Sequence, residues 1–168
     1  MAGLQIQTEP NQEPLSLQEV KDYLRVEDTT DERILQAMIE TARRFAEEHM
    51  GRSLMSQPIN QFIEGYDELE DPLFEGFKKG PFLTYYKNYI TLARPPVISV
   101  SSVSTFNDSD TETTFAASKY YLDNVREPAR IVLRNGETFP TSLRVANAIK
   151  IVYVSGYSSP FSIPEPIR

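Results

Sequence analysis

The spacing of apolar residues changes near residue 58, from a helical period before it to strand-like runs after it. In the first part, Leu17, Val20 and Leu24 recur at the spacing of one helix face. They follow the start of a capping box, Ser16-Leu17-Gln18-Glu19, in which the serine hydroxyl and the glutamate carboxylate each accept a backbone N–H. A short first helix is therefore predicted from Ser16 to about Arg25.

A longer second helix is predicted to begin near Thr29 or Thr30 and to end at Gly51, because glycine suits the left-handed conformation just past a helix end. The predicted apolar stripe comprises Ile34, Leu35, Met38, Ile39, Ala42, Phe45 and Ala46, and the predicted polar face comprises Glu32, Gln36, Glu40, Arg43, Arg44 and Glu47. A short turn joins the two helices, so residues 15–57 are predicted to form a helix hairpin.

Residues 58–157 are predicted to form a β-rich part. Strand-like runs occur at Ile59–Ile63, Tyr89–Leu92, Val97–Phe106, Tyr120–Leu122, Ile131–Leu133 and Ala148–Val154. The run from Ile149 to Val154 has Lys150 as its one polar member, which predicts a strand buried on both faces. Before Val97, Arg94-Pro95-Pro96 predicts a stiff extended lead-in, because proline fixes φ and restricts the residue before it. Asn135-Gly136 predicts a turn between Leu133 and Thr138.

Two segments fall outside these patterns. Residues 1–14 are polar, contain two prolines and show no period, so they are predicted to be a flexible arm. Residues 64–88 form an aromatic excursion from the β-rich part, in which the large side chains are either a satellite core or interface anchors. The interface candidates are Phe74, Phe77, Phe82, Tyr85 and Tyr86 in the excursion and Tyr157, Phe161, Ile163, Ile167 and Arg168 at the end, where residues 158–168 form a C-terminal tail.

The composition fits one domain, predicted over residues 15–168. Of the 168 residues, 40% are hydrophobic and 24% are charged, which is enough apolar residues for a packed core. Because cysteine is absent, disulfides and thiolate chemistry are excluded. No apolar run is long enough for a membrane span, and no secretory signal is predicted at the N-terminus. The net charge of −7 argues against a protein that grips DNA phosphates over its whole surface.

The candidate chemistry is sparse, and no catalytic residue, metal site or cofactor is predicted. His49, the one histidine, lies near the end of the second helix, where a cation suits the helix dipole. Asp67, Glu68, Glu70 and Asp71 could supply oxygen ligands to a metal, but their spacing is not that of a calcium loop and a solvated acidic loop is the favoured reading. No phosphate-binding glycine motif occurs.

The order of several motifs resembles that of the tailed-phage head–tail connector (adaptor) family, gp6-like, including connectors of prophages and gene transfer agents. The resemblance covers roughly residues 15–57 and 90–168. It is carried by Tyr23-Leu24-Arg25-Val26, Asp28 and Asp31, the helix from Ile34 to Phe45, Gly51-Arg52-Ser53-Leu54, the run from Leu92 to Val103, Tyr120-Tyr121-Leu122-Asp123, Glu127-Pro128-Ala129-Arg130-Ile131, Phe139-Pro140, Ile151 to Tyr157 and Ile163 to Arg168.

The resemblance implies an α+β fold, a small helical bundle with a β-rich insertion, as the subunit of a closed ring of about twelve copies. It implies a non-enzymatic virion protein that docks under the portal at the capsid vertex, extends the channel through which double-stranded DNA passes, and offers a platform to the next neck or tail protein. In relatives the segment corresponding to Ile163–Arg168 usually opens a C-terminal helix, whereas this sequence stops at Arg168. The 64–88 excursion is also longer than in relatives.

Within that resemblance, the helix hairpin and the tail are assigned to the portal side, and the excursion and the β-rich part to neighbouring subunits or the tail side. Three alternatives stay open. The protein could be a stopper or tail-completion protein of the neck, a small metal-dependent hydrolase that uses the carboxylates of Asp67–Asp71, or a monomeric β-rich binding module.

Overall fold

The computed structural model describes residues 3–64, 89–140 and 142–164. Within them, two α-helices accompany strands that form two antiparallel sheets. The α+β fold class predicted from the sequence is confirmed. The division into an arm, one domain and a tail remains a prediction.

Both ends of the first helix and the end of the second agree with the local sequence, whereas the second helix begins at Glu32, two residues later than predicted. Helix α1 spans Leu17–Leu24 behind the Ser16 capping box: the Glu19 N–H donates to Ser16 Oγ at 3.2 Å, and the Ser16 N–H donates to Glu19 Oε2 at 2.8 Å. Helix α2 spans Glu32–Met50 and is followed by Gly51 at φ 62°. The Lys21 ammonium meets the Glu32 carboxylate at 2.7 Å, so an ion pair joins the two helices.

The strands are β1 (Gly3–Ile6), β2 (Gln57–Ile63), β3 (Tyr89–Thr91), β4 (Val97–Phe106), β5 (Glu112–Thr114), β6 (Tyr120–Asp123), β7 (Arg130–Leu133) and β8 (Ile149–Ser155). The larger sheet has the order β1-β2-β8-β4-β5, and the smaller sheet has the order β3-β7-β6. One cluster of buried residues contains side chains from both sheets, so the two sheets share a single core.

Strand β8 lies between β2 and β4, and the core is built around it. Ile149, Ile151 and Tyr153 are at most 1% exposed, whereas Lys150, Val152 and Val154 alternate with them and are half-buried. The prediction that β8 is buried on both faces is therefore wrong for the second face. Its central position gives it two neighbouring strands, but only one of its faces lies in the core.

Strand β4 has the bounds that the sequence predicts. The prediction of an extended lead-in before it is wrong, because residues 93–95 form a bend in which Arg94 has φ 53°. The turn predicted at Asn135-Gly136 is confirmed, and Gly136 has φ 83°. No strand follows it at Thr138-Phe139. Instead, the Phe139 ring lies 5.0 Å from the Phe115 ring and packs against the core.

The prediction of a flexible arm is wrong for Gly3–Ile6. These residues form β1, which pairs with β2 in the register Gly3↔Phe62 to Ile6↔Ile59. All four β1 side chains are exposed. The strand is therefore defined by backbone pairing at a sheet edge, and a pattern of burial could not have revealed it.

Candidate interaction surfaces

The apolar stripe of α2 divides into two lines in the folded chain. Leu35 and Ile39 are buried, and the same line continues through Arg43 and Glu47, the two most buried residues of the helix. These four residues are spaced by four, which places them on one helix face. The prediction that Arg43 and Glu47 belong to a polar outer face is therefore wrong.

The other line of the stripe faces outwards. Ile34, Met38 and Phe45 are 54%, 59% and 72% exposed. Together with Leu24 and Ala42 they form what we call the hairpin face. A shallow cavity of about 330 Å³ between the helices is lined by Leu24, Met38 and Ala42 among others. Contiguous exposed apolar residues of this size are typical of interaction surfaces.

The tail candidates differ in their accessibility. Ile163 is only 4% exposed and is buried against Leu54 and Met55, where it anchors the tail inside the subunit. Tyr157 packs against the same cluster, and its hydroxyl accepts a hydrogen bond from Arg52 Nη2 at 3.2 Å. Phe161 is 86% exposed. Of these three candidates, Phe161 presents by far the most apolar surface to a partner.

The remaining interface candidates lie outside the described residues. These are Phe74, Phe77, Phe82, Tyr85 and Tyr86 of the excursion, and Ile167 and Arg168 of the tail. The carboxylates of Asp67–Asp71, on which the hydrolase alternative depends, also lie outside them. Among residues 3–64, 89–140 and 142–164, no group of three histidine, cysteine or acidic side chains could hold a metal ion.

A buried polar junction connects α2 to the β-rich part. The Glu47 carboxylate is 1% exposed and accepts the Leu54 N–H at 2.7 Å and Gln57 Nε2 at 3.1 Å. Its second oxygen lies 3.1 Å from Arg43 and 3.9 Å from Arg94. Glu47 thus links the helix, the connection after it, strand β2 and the lead-in to β4.

The lead-in to β4 is held at the same junction by backbone hydrogen bonds. The Pro95 carbonyl accepts the Ser53 N–H at 3.1 Å, and the Pro96 carbonyl accepts the Gly156 N–H at 2.8 Å. Because the two prolines have no N–H, their backbone contributes acceptors only, and the partners come from the hairpin side and from the end of β8. The stretch predicted as a stiff lead-in is therefore also a contact between the two parts.

The charge on Arg43 is strongly stabilised despite its burial. Its side chain is 1% exposed, and its three nitrogens contact Glu13, Glu9 and Glu47 at 2.8, 2.8 and 3.1 Å. Desolvation opposes the charge, but hydrogen bonds and attraction from these carboxylates outweigh it, so the pKa of Arg43 lies above its ordinary value. In the sequence, the four-residue spacing from Leu35 and Ile39 was the one signal that Arg43 could point inwards.

The side-chain contact described for His49 is aromatic. Its ring stacks on that of Phe45, with 6.3 Å between the ring centres and 7° between the planes. The stack lies in the last turns of α2, where a histidine near the helix end is favoured by the dipole. The described surroundings of this histidine therefore favour packing at the edge of the hairpin face.

Parts of this chain are similar to a known protein family and to solved structures. The family model of the phage gp6-like head–tail connector proteins matches residues 14–78. The resemblance to this family that the sequence predicts is confirmed over residues 14–78. The match to this connector model includes both helices, the Glu47 junction and strand β2. Among curated protein sequences, none matches the chain.

The fold of this gp6-like chain is also found in solved particle structures. A chain of "Neck of empty GTA particle computed with C6 symmetry" aligns with a TM-score of 0.72 and 17% identity, over 98% of this chain and 76% of that one. A chain of "Virion of native gene transfer agent (GTA) particle" aligns with a TM-score of 0.68 and 16% identity, over 97% and 76%. At these identities the likeness establishes the fold.

In the described part of the chain, no helix combines the length and the apolar character needed to cross a membrane.

Proposed function

We propose that this protein is a structural component of the neck of a phage-like particle, a head–tail connector that joins the portal to the tail machinery. The observation that carries the proposal is the fold likeness to a neck subunit over 98% of the chain, joined to the connector-family match at residues 14–78. The protein would then be a virion component made in the host cytoplasm, and its work would be protein–protein contact rather than catalysis.

A closed ring of about twelve subunits is the assembly we propose. The neck with which the fold aligns was computed with sixfold symmetry, and a twelve-membered ring is compatible with such averaging. The strands β1 and β5 lie at the edges of the larger sheet, and β3 and β6 at the edges of the smaller one. Head-to-tail contacts in a ring would cover exposed edges and add apolar burial around each subunit.

The hairpin face and the exposed Phe161 are the surfaces we assign to the portal side. They carry large exposed apolar side chains, such as Phe45 at 72% exposure. The excursion and the β-rich part are assigned to neighbouring subunits or to the tail side. The net charge of −7 suits a channel wall that lets DNA pass, because few phosphates would be gripped.

The assembly can be tested by measuring mass and symmetry of the purified protein with and without its portal, by native mass spectrometry and electron microscopy. The double variant Met38→Ser/Phe45→Ser should lose portal-dependent ring binding. The variant Val125→Ser is the matched control, because Val125 is 96% exposed but lies in the β-rich part. A ring that binds portal equally well in both variants would contradict the assignment of the hairpin face.

A stopper or tail-completion protein one layer further from the capsid would have a similar task. The position of the subunit in a reconstruction of the assembled particle separates the two functions: contact with the portal supports the connector, and contact only with the next neck ring supports the stopper.

A further inference from the structure

The N-terminal segment from Gly3 to Pro14, here called the strap, ends in the buried Pro14, and the residues before it are attached to the subunit mainly through polar contacts. Its strand β1 buries no side chain. Beyond the strand, the Gln7 N–H donates to the Pro58 carbonyl at 3.0 Å, and Gln7 Nε2 donates to Asn60 Oδ1 at 2.8 Å. Since apolar burial supplies most folding free energy, the strand must be held in place by other means.

The strongest of these contacts converge on Arg43. The guanidinium donates through Nε to Glu13 and through Nη2 to Glu9, and its remaining nitrogen Nη1 reaches Glu47. The first two carboxylates belong to the strap, and the third belongs to α2 itself. The planar fork of arginine can serve three carboxylates at once in fixed directions, which the point charge of lysine cannot do.

The two halves of this cluster differ in their access to water. The Arg43 and Glu47 side chains are each 1% exposed, whereas those of Glu9 and Glu13 are 46% and 30% exposed. Salt and competing water therefore act mainly on the strap side of the cluster. Without the Arg43 charge, the three carboxylates would keep only Arg44, 3.2 Å from Glu9, and Arg94, 3.9 Å from Glu47, as nearby cations. Their mutual repulsion would then favour release of the strap.

We propose that the Arg43 cluster is an ionic latch that holds the strap on the sheet and thereby decides whether the outer edge of β2 is covered. Opening the latch frees β1 and uncovers the backbone N–H and C=O groups of Ile59–Phe62 that face it, while the core around β8 stays folded. The latch is a property of the single subunit, so it goes beyond the proposed neck function and does not depend on it.

Hydrogen exchange of the full chain, measured by mass spectrometry, tests the latch. The variant Glu9→Gln/Glu13→Gln removes the strap side of the cluster and leaves the buried Arg43–Glu47 pair intact. Amides of residues 3–7 should exchange at least about tenfold faster than in the unmodified chain, because charged hydrogen bonds are lost. Amides of β4 and β8 should keep their rates, and 0.5 M salt should reproduce the effect in the unmodified chain.

Two controls keep the test specific. Glu48→Gln removes an exposed carboxylate of α2 that takes no part in the cluster, and it should leave the strap amides unchanged. A disulfide between Gln5→Cys and Asn60→Cys, which are paired across β1 and β2, should restore protection in the latch variant. The natural chain has no cysteine, so the pairing is unambiguous.

The proposal fails if the strap amides of the latch variant exchange at the unmodified rate. It also fails if the β8 amides accelerate as much as the strap amides, because the cluster would then support the whole fold rather than a separable strap.

Discussion

The helix hairpin and the β-rich part of this protein differ in how fully they bury their apolar side chains. The β-rich part buries a large cluster in which Leu92, Val103 and Ile151 are completely inaccessible. The hairpin buries Leu35 and Ile39 but leaves Ile34, Met38 and Phe45 exposed. The β-rich part therefore completes its own core, whereas the hairpin leaves a contiguous apolar surface exposed, which is typical of interaction surfaces.

The difference extends to charge. In the hairpin, the buried line of α2 ends in the ion pair Arg43–Glu47, and three elements meet on the Glu47 carboxylate. In the β core, the completely buried polar side chain of Tyr153 is neutral, and its hydroxyl donates to the Ala93 carbonyl at 2.9 Å. Charged contacts are directional, so they fix how the hairpin sits on the β-rich part, while apolar burial stabilises the β-rich part itself.

The largest effect is expected from Glu47→Ala, which leaves Arg43 and the Leu54 N–H without their buried acceptor. Removing one partner of a buried pair costs about 3–5 kcal/mol of unfolding free energy. Urea unfolding followed by circular dichroism measures it. Glu48→Ala, on the exposed side of the same helix, should change stability by less than about 0.5 kcal/mol. Equal effects of the two variants would show that the junction contributes no more than an exposed helix position.

A smaller effect is expected from Gly156→Ala at the contact between the two parts. Gly156 has φ 113°, and an added Cβ would lie 2.0 Å from the Met55 carbonyl oxygen. A loss well above about 1 kcal/mol should follow, because backbone must shift. Gly136→Ala, at φ 83° but with nothing within 4 Å of the new Cβ, isolates the cost of the backbone conformation alone. Thermal unfolding of both variants should show Gly136→Ala as the milder one.

The third prediction concerns alkaline pH. Burial raises the pKa of Tyr153 above its ordinary value. The unfolded chain then loses this proton first, so the stabilisation is complete below about pH 10 and is lost as pH rises towards the folded pKa. Unfolding free energy should fall by up to about 1.4 kcal/mol per pH unit from this tyrosine. In Tyr153→Phe the slope above pH 10 should be shallower, and an unchanged slope would assign the alkaline loss to other groups.

The smallest effect on stability is expected from Met38→Ser on the hairpin face. Because Met38 is 59% exposed, the isolated subunit should change by less than about 0.5 kcal/mol. Binding to a partner should weaken far more than stability does, which calorimetry and a pull-down with portal can compare. A large loss of stability in the isolated chain would mean that the hairpin face already lies inside a subunit interface.

Local signals predicted the elements well. The capping box at Ser16, the left-handed Gly51 and the β-branched run of β4 each depend on neighbours within a few residues, so the sequence contains all the information they need. The candidate surfaces were harder to predict. Among the interface candidates, Phe161 is exposed and Ile163 is buried, although both are apolar residues of one tail.

By itself, the sequence determined the helices and the main strands to within about two residues at their ends, the α+β class and the connector resemblance. Only the tertiary structure showed that Arg43 and Glu47 of α2 point inwards and that Gly3–Ile6 forms an edge strand. It also showed that the second face of β8 is only half-buried. The physical reason is the same in each case. A helical period identifies an apolar stripe, but it does not say which side of the stripe packs against the core. A strand held only by backbone pairing has no side-chain pattern by which the sequence could reveal it.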